Sequence, residues 1–125
     1  MAGEKRFEDK IRAYMEKRGA WVLKTWSNGV QRKGVPDLLI SHRGHPIALE
    51  VKDVGGRFTD GDLQPWNLRK LKESGAIAAV IIPKEGKERF RRYIERNHPD
   101  YLDTTIYDFD EFKQIIENIE REENE

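Results

Sequence analysis

The sequence predicts an α/β fold: a mixed β-sheet flanked by helices on both faces. Three observations lead there. Two apolar runs, Leu38-Leu39-Ile40 and Ile47-Ala48-Leu49-Glu50-Val51, flank a polar break at Arg43-Gly44-His45-Pro46 and read as a hairpin. Residues 76–82 (Ala-Ile-Ala-Ala-Val-Ile-Ile) are apolar throughout, as expected of a strand buried on both faces in a parallel arrangement. Stretches with three- and four-residue apolar spacing around them read as helices. The predicted order is an α-β-β-β-α-β core followed by an α-β-α extension, in one domain. The core covers about residues 4–83, the extension about 84–119, and an acidic tail 120–125.

Residues 4–18 form the first predicted helix. Phe7, Ile11, Tyr14 and Met15 make its stripe, and Gly19 suits the C′ position. Glu8 sits at the edge of that stripe, where an acid also interacts favourably with the helix N-terminus. Residues 20–25 read as a strand and 26–34 as a polar loop with a turn at Asn28-Gly29. Lys24, Ser27, Arg32 and Lys33 precede Asp37 and could form a phosphate-contacting rim; each also fits a solvated loop. After the hairpin, Gly55-Gly56 suggests a mobile connection, with Arg57 either touching a phosphate or merely part of the connector.

The next helix starts within 59–62 and runs to about Ser74, with Gly75 as its stop. Pro65 must lie in the first turn, which favours Asp62 as N-cap and puts Gln64 near the open end of the hairpin. Leu63, Trp66, Leu68 and Leu71 give no single stripe. Residues 85–97 read as a charged helix with Phe90, Tyr93 and Ile94 on one side, broken at His98-Pro99. A short edge strand over 104–107 leads into Asp108-x-x-Glu111, a capping signature ahead of the stripe Phe109, Phe112, Ile115, Ile116 and Ile119. Residues 120–125 read as a frayed tail. His42, His45 and His98 lack the spacing of a zinc site and read as surface or turn residues. Trp21, Trp26 and Trp66 are candidates for an interface or base stacking, although a Trp more often belongs to the core.

Charged residues make up 37% of the 125 and mean hydropathy is −0.84. No apolar run reaches the roughly 18 residues of a membrane span, and no apolar signal core opens the chain. With no Cys, disulfides and thiolate metal sites are excluded. A cytoplasmic or nucleoid-associated protein is expected, cellular or encoded by a virus or phage, without an organic cofactor. The zero net charge hides an asymmetry. Residues 1–75 hold 15 Lys and Arg against 10 Asp and Glu, net +5, while residues 76–125 hold 8 against 13, net −5. Overall neutrality therefore does not argue against a phosphate polymer as partner.

The chemistry is concentrated in the hairpin. With the turn centred on Gly44-His45, facing residues sum to 89, so Asp37 lies opposite Lys52 and Leu39 opposite Glu50. Side chains alternate faces along a strand, which puts Asp37, Glu50 and Lys52 on one face. Burying two carboxylates costs about 2–5 kcal/mol unless a cation compensates, and Lys52 can compensate only one. A divalent ion satisfies both, and hard oxygen ligands favour Mg²⁺ or Mn²⁺. In the plainer alternative Asp37 caps a strand entry after Pro36, and Glu50 and Lys52 form a solvated cross-strand pair.

Gly34-Val35-Pro36-Asp37-Leu38-Leu39, a turn, then Ala48-Leu49-Glu50-Val51-Lys52 resembles the motif of the PD-(D/E)XK nucleases, and more narrowly of their VRR-Nuc branch, the virus-type replication and repair nucleases. The resemblance runs from about Phe7 to Ile82 and includes Glu8 in the first helix and Gln64 after the Lys; the segment beyond about Lys84 is not covered. It implies a restriction-endonuclease-like sheet and Mg²⁺- or Mn²⁺-dependent hydrolysis of DNA. Asp37, Glu50 and the Val51 carbonyl would be the metal ligands. Lys52 and Gln64 would complete the catalytic set, and Glu8 would support the metal. Beside two carboxylates an ammonium stays protonated, so Lys52 is expected to stabilise charge rather than accept a proton. Compact relatives of this kind imply a homodimer acting on branched DNA such as a four-way junction. The alternative is a non-catalytic nucleic-acid-binding module on the same fold.

Overall fold

The computed structural model describes residues 2–26 and 33–123. Helix α1 (Ala2–Lys17) is followed by strands β1 (Trp21–Lys24), β2 (Leu38–His42) and β3 (His45–Val51), helix α2 (Leu63–Glu73) and strand β4 (Ile77–Ile81). A 3₁₀ turn (Lys84–Gly86) leads into α3 (Lys87–Asn97), a second (Pro99–Tyr101) into β5 (Ile106–Tyr107), and α4 (Phe109–Glu123) closes the described chain. The five strands form one mixed sheet in the order β1-β2-β3-β4-β5, antiparallel through β3 and parallel from β3 to β5.

Period-two alternation sorts the two cores. Leu38, Ile40, Ile47, Leu49, Val51, Ala79 and Ile81 pack under α1 and α4, where Ile11, Met15, Phe112, Ile116 and Ile119 meet them. Ala48, Ala78, Val80, Ile82 and Ile106 face Leu68 of α2 and Phe90 and Ile94 of α3. Strand β4 is thus covered on both sides, as its unbroken apolar run predicts. The capping signature forms as a reciprocal pair: the Glu111 N–H donates to Asp108 Oδ1 at 2.8 Å, and the Asp108 N–H donates to Glu111 Oε1 at 2.9 Å.

The hairpin register differs from expectation by two residues. The turn residues are Arg43 (φ 50°) and Gly44 (φ 81°), both in the left-handed region of a two-residue primed turn. Leu38 therefore faces Leu49, and His42 faces His45, so facing residues sum to 87 rather than 89. An even shift preserves every side chain's face. It also moves Glu50, not Lys52, opposite Asp37.

Three surface expectations are corrected. Glu120 does not fray. Its carboxylate takes both Arg18 (Nε to Oε2, 2.9 Å) and His42 Nε2 (2.8 Å), fastening α4 to the end of α1 and to β2. His42 is buried for the same reason, and His98 is buried between Tyr93 and Asp62. Trp21 and Trp26, the interface or base-stacking candidates, are exposed at 61% and 65% and so lie outside the core. Asp62 flanks α2 as expected, but its carboxylate bonds His98 Nδ1 at 2.6 Å instead of capping the helix. Among the described residues no helix is long and apolar enough to cross a membrane.

The Glu120 clasp makes a testable statement about acid stability. Arg18, then His42, hold the Glu120 carboxyl down to about 2 from its ordinary 4.5. A depressed carboxyl contributes stability that is full above about pH 4.5 and lost as pH falls towards 2. Glu120→Gln is expected to cost about 1–3 kcal/mol at neutral pH. It should also flatten the acid limb between those two pH values, read as thermal midpoints of both proteins across pH. An unchanged acid limb would remove the clasp from the account.

Candidate active site

Strand β3 lies in the middle of the sheet, and its C-terminal end opens beside the end of parallel β4, where crevices form outside the carboxyl ends of strands. Glu50 is the penultimate residue of β3 and only 1% exposed. Asp37 stands just before β2, held there by backbone pairing onto β1. Thr25 N–H donates to the Asp37 carbonyl at 2.9 Å, and Thr25 Oγ1 donates to the Pro36 carbonyl at 2.8 Å. With the observed register continued one residue past Leu38 and Leu49, Asp37 and Glu50 face each other on the α2 side of the sheet.

Their hydrogen bonds show what the site lacks. Asp37 Oδ2 accepts the Val51 N–H at 2.8 Å. A strand residue's N–H and C=O leave the backbone on the same side, so the Val51 carbonyl also turns towards Asp37. Glu50 Oε1 accepts from Gln64 Nε2 at 3.2 Å and lies 3.7 Å from Lys52 Nζ. Glu50 Oε2 is buried and has no hydrogen-bond partner. Burial, then the Asp37 carboxylate alongside, pushes the Glu50 carboxyl well above the usual range, despite the opposing Lys52 ammonium. Lys52 is itself buried, with its ammonium 5.9 Å from the centre of the Phe58 ring. The donor set suits a hard divalent cation: an unpartnered carboxylate oxygen, a second carboxylate and a turned carbonyl. Among the described residues no three His, Cys, Asp or Glu side chains converge as ligands, so two carboxylates and backbone oxygen are the protein's offer.

Gln64 does more than its place in the first turn of α2 suggests. Its Oε1 accepts the Thr59 N–H at 2.9 Å while its amide holds Glu50, which ties the 53–62 connection to the acid pair. Glu8 and Lys24 are brought together: Lys24 Nζ sits 2.7 Å from Glu8 Oε1, and Glu8 is 5% exposed. The Lys24 ammonium also lies 5.5 Å from the Trp26 ring. Lys33 and Arg57 are exposed, and the Arg57 guanidinium is 4.9 Å from the Tyr93 ring. Ser27 and Arg32, with the Asn28-Gly29 turn, lie outside the described residues.

Four residues with no predicted role support the site. Glu4 of α1 is half-buried, and its carboxyl is raised by burial and then by Asp37, which puts it within the field of the acid pair. Asn67 Nδ2 donates to the Gly34 carbonyl at 3.0 Å and to the Leu63 carbonyl at 2.9 Å, clamping the loop that delivers Asp37. Tyr93 and His98 form a chain. Phe58 N–H donates to Tyr93 Oη at 3.0 Å, Tyr93 Oη and His98 Nε2 are 2.7 Å apart, and His98 Nδ1 reaches Asp62. A signal for Asn67 existed in the sequence. The buried face of α2 carries Gln64, Pro65, Asn67 and Leu68, so its apolar stripe is interrupted where the helix turns to the site.

Gly34 is a sensitive point in this clamp. Its φ is +76°, and a Cβ there would stand 2.8 Å from both Asn67 Nδ2 and Leu63 Cβ. Gly34→Ala is expected to destabilise the fold by about 2–4 kcal/mol, from left-handed backbone strain plus the overlap. A denaturant midpoint equal to wild type would show that the loop is free to move aside.

Comparison of the chain with protein-family profiles, with curated proteins and with solved structures finds no match in any of the three.

Proposed function

We propose that this chain is a metal-dependent deoxyribonuclease of the PD-(D/E)XK type, in its VRR-Nuc branch, hydrolysing phosphodiester bonds of DNA. One observation carries the reading. A buried carboxylate oxygen, Glu50 Oε2, has no partner, next to a second carboxylate and a buried lysine, at the end of the hairpin away from its turn. A protein does not gain stability from that arrangement unless a cation completes it.

Asp37, Glu50 and the Val51 carbonyl are the residues that would hold Mg²⁺ or Mn²⁺. When bound, such an ion polarises the scissile phosphate and acidifies a water. The rest falls to the chain. The Val51 N–H fixes one oxygen of Asp37, leaving the other for a ligand. Gln64 orients Glu50 and, through Thr59, the connection beyond Lys52. The Lys52 ammonium, held near Glu50 on an apolar floor that includes Phe58, offsets charge that builds on the phosphorane and orients the attacking water. Glu8 is engaged by Lys24 and acts, on this reading, by fixing α1 and β1 beside the site.

The homodimer belongs to the same proposal. Edge strand β1 presents Trp21 and Leu23, 61% and 43% exposed and two residues apart, on one side. A C2 pair built on that edge would give two sites, as two cuts in a four-way junction require. The chain sedimenting only as monomer at high concentration removes that part.

The decisive experiment incubates the chain with linear and branched DNA, with Mg²⁺ or Mn²⁺, and with and without chelator. Cleavage that needs the metal supports the nuclease. Binding with no metal-dependent cleavage favours instead a non-catalytic nucleic-acid-binding module, against which the Asp37, Glu50 and Lys52 set argues, because a binder gains little from two acids facing phosphate.

A further inference from the structure

A concentration of positive charge lies in the half of the chain that is acidic overall. Residues 76–125 are net −5, yet α3 alone holds Lys87, Arg89, Arg91, Arg92 and Arg96 against Glu88 and Glu95. Arg89, Arg92 and Arg96 are spaced i, i+3, i+7 and so share one helix face with Tyr93, while Phe90 and Ile94 turn to the core. That face looks across a cleft of about 260 Å³ at Gly55, Gly56 and Arg57. The Arg89 guanidinium lies against Gly55, whose added Cβ would be 3.5 Å from it, and Arg57 stacks at 4.9 Å on Tyr93.

Among the described residues no acidic side chain lines this cleft. Arg92 pairs with Glu88 at 3.2 Å, but both are well exposed, so that pair does little to neutralise it. Among the described residues Arg57, Arg89 and Arg96 have no ion-pair partner. Four guanidinium groups gathered with one exposed acid between them repel one another, and forked donors of this kind match phosphate oxygens. The cleft adjoins the segment that leaves Lys52. A Cβ on Gly56 would be 3.1 Å from Lys52 Cβ, and Tyr93 holds the Phe58 N–H of the same connection.

We propose that this arginine cleft binds a backbone phosphate of the nucleic-acid strand adjoining the one cut at Asp37, Glu50 and Lys52. The inference rests on the nuclease reading and extends it to a helix outside the motif. A strand crossing the active site would place its next phosphates along α3, where the charge keeps it in register while carrying no sequence information.

The test uses the full chain in chelator, so that nothing is cut, and follows labelled linear and branched DNA by fluorescence anisotropy through a salt series. The double variant Arg89→Ala/Arg96→Ala is expected to bind more weakly at every salt concentration. Its log–log salt slope should be shallower by about 0.9 for each phosphate that the variant no longer neutralises. Arg91→Ala, on the far side of α3, should match wild type. Arg89→Gln/Arg96→Gln, which keeps most of the side-chain bulk, should repeat the double-alanine result. An unchanged affinity and slope in the double variants would overturn the cleft, as would an equal loss per charge in Arg91→Ala. Wild type that binds and cuts DNA while the double variants are indifferent removes the cleft alone. Wild type that binds no DNA removes the nuclease reading as well.

Discussion

Asp37→Ala is expected to abolish metal-dependent cleavage of DNA and, with it, metal binding. Asp37 supplies one of the two carboxylates, and the Val51 N–H on its Oδ2 fixes its orientation at 2.8 Å. Loss of a ligand removes the ion's several kcal/mol of transition-state stabilisation, a rate loss of about 10³-fold or more. Lys52→Ala should lose cleavage to a similar extent but keep the metal, because its role is charge and orientation rather than ligation. The pair of variants is more informative than either alone. Calorimetric Mn²⁺ titration should be flat for Asp37→Ala and near wild type for Lys52→Ala, while both fail to cut. Cleavage persisting in either variant, with contaminating nuclease excluded, would falsify the role given to that residue.

Glu50→Gln should do two opposite things: end cleavage and raise the stability of the metal-free protein. Glu50 is buried beside Asp37 with Oε2 unpartnered, so ionising it is a penalty on the fold. A neutral amide of the same shape removes that charge and can donate to Asp37, for a gain of about 1–3 kcal/mol. The pH dependence has a definite sign. Burial and Asp37 raise the Glu50 carboxyl in the folded state above 4.5, so its neutral form stabilises the fold fully below that pH. That contribution is lost as pH rises through the folded value. The stability gap between variant and wild type should therefore widen from acid to neutral pH. Saturating Mg²⁺ should reverse the order by stabilising wild type by about 3 kcal/mol at a hundredfold excess over Kd, and leave the variant nearly unmoved. A variant less stable than wild type in chelator at neutral pH would mean that Glu50 is there for packing, not for an ion.

Part of the site was legible locally. Alternation along two short strands puts Asp37, Glu50 and Lys52 on one side of the sheet whichever even register the turn selects, so the two-residue slip left the chemistry intact. Pro65 in the first turn of α2 likewise places Gln64 near Glu50 by local geometry alone. The failures share a cause. Glu120 read as tail and His42 as turn because neither has a local reason to be buried: Glu120 meets Arg18 and His42 across 102 and 78 residues of chain. The half-chain charge count assigned α3 to an acidic region, although its arginines line a cleft beside Lys52.

The sequence by itself determined the order of elements, the face each hairpin side chain takes and the stops at Gly19 and Gly75, because these follow from backbone periodicity and left-handed φ over a few residues. Only the tertiary structure decided that Glu50 Oε2 goes without a partner, that Asn67 clamps the loop of Asp37, and that α3 turns its arginines towards the 53–58 connection. Those depend on which surfaces the sheet and helices bring within a few ångströms, and burial and charge act across that distance regardless of separation along the chain.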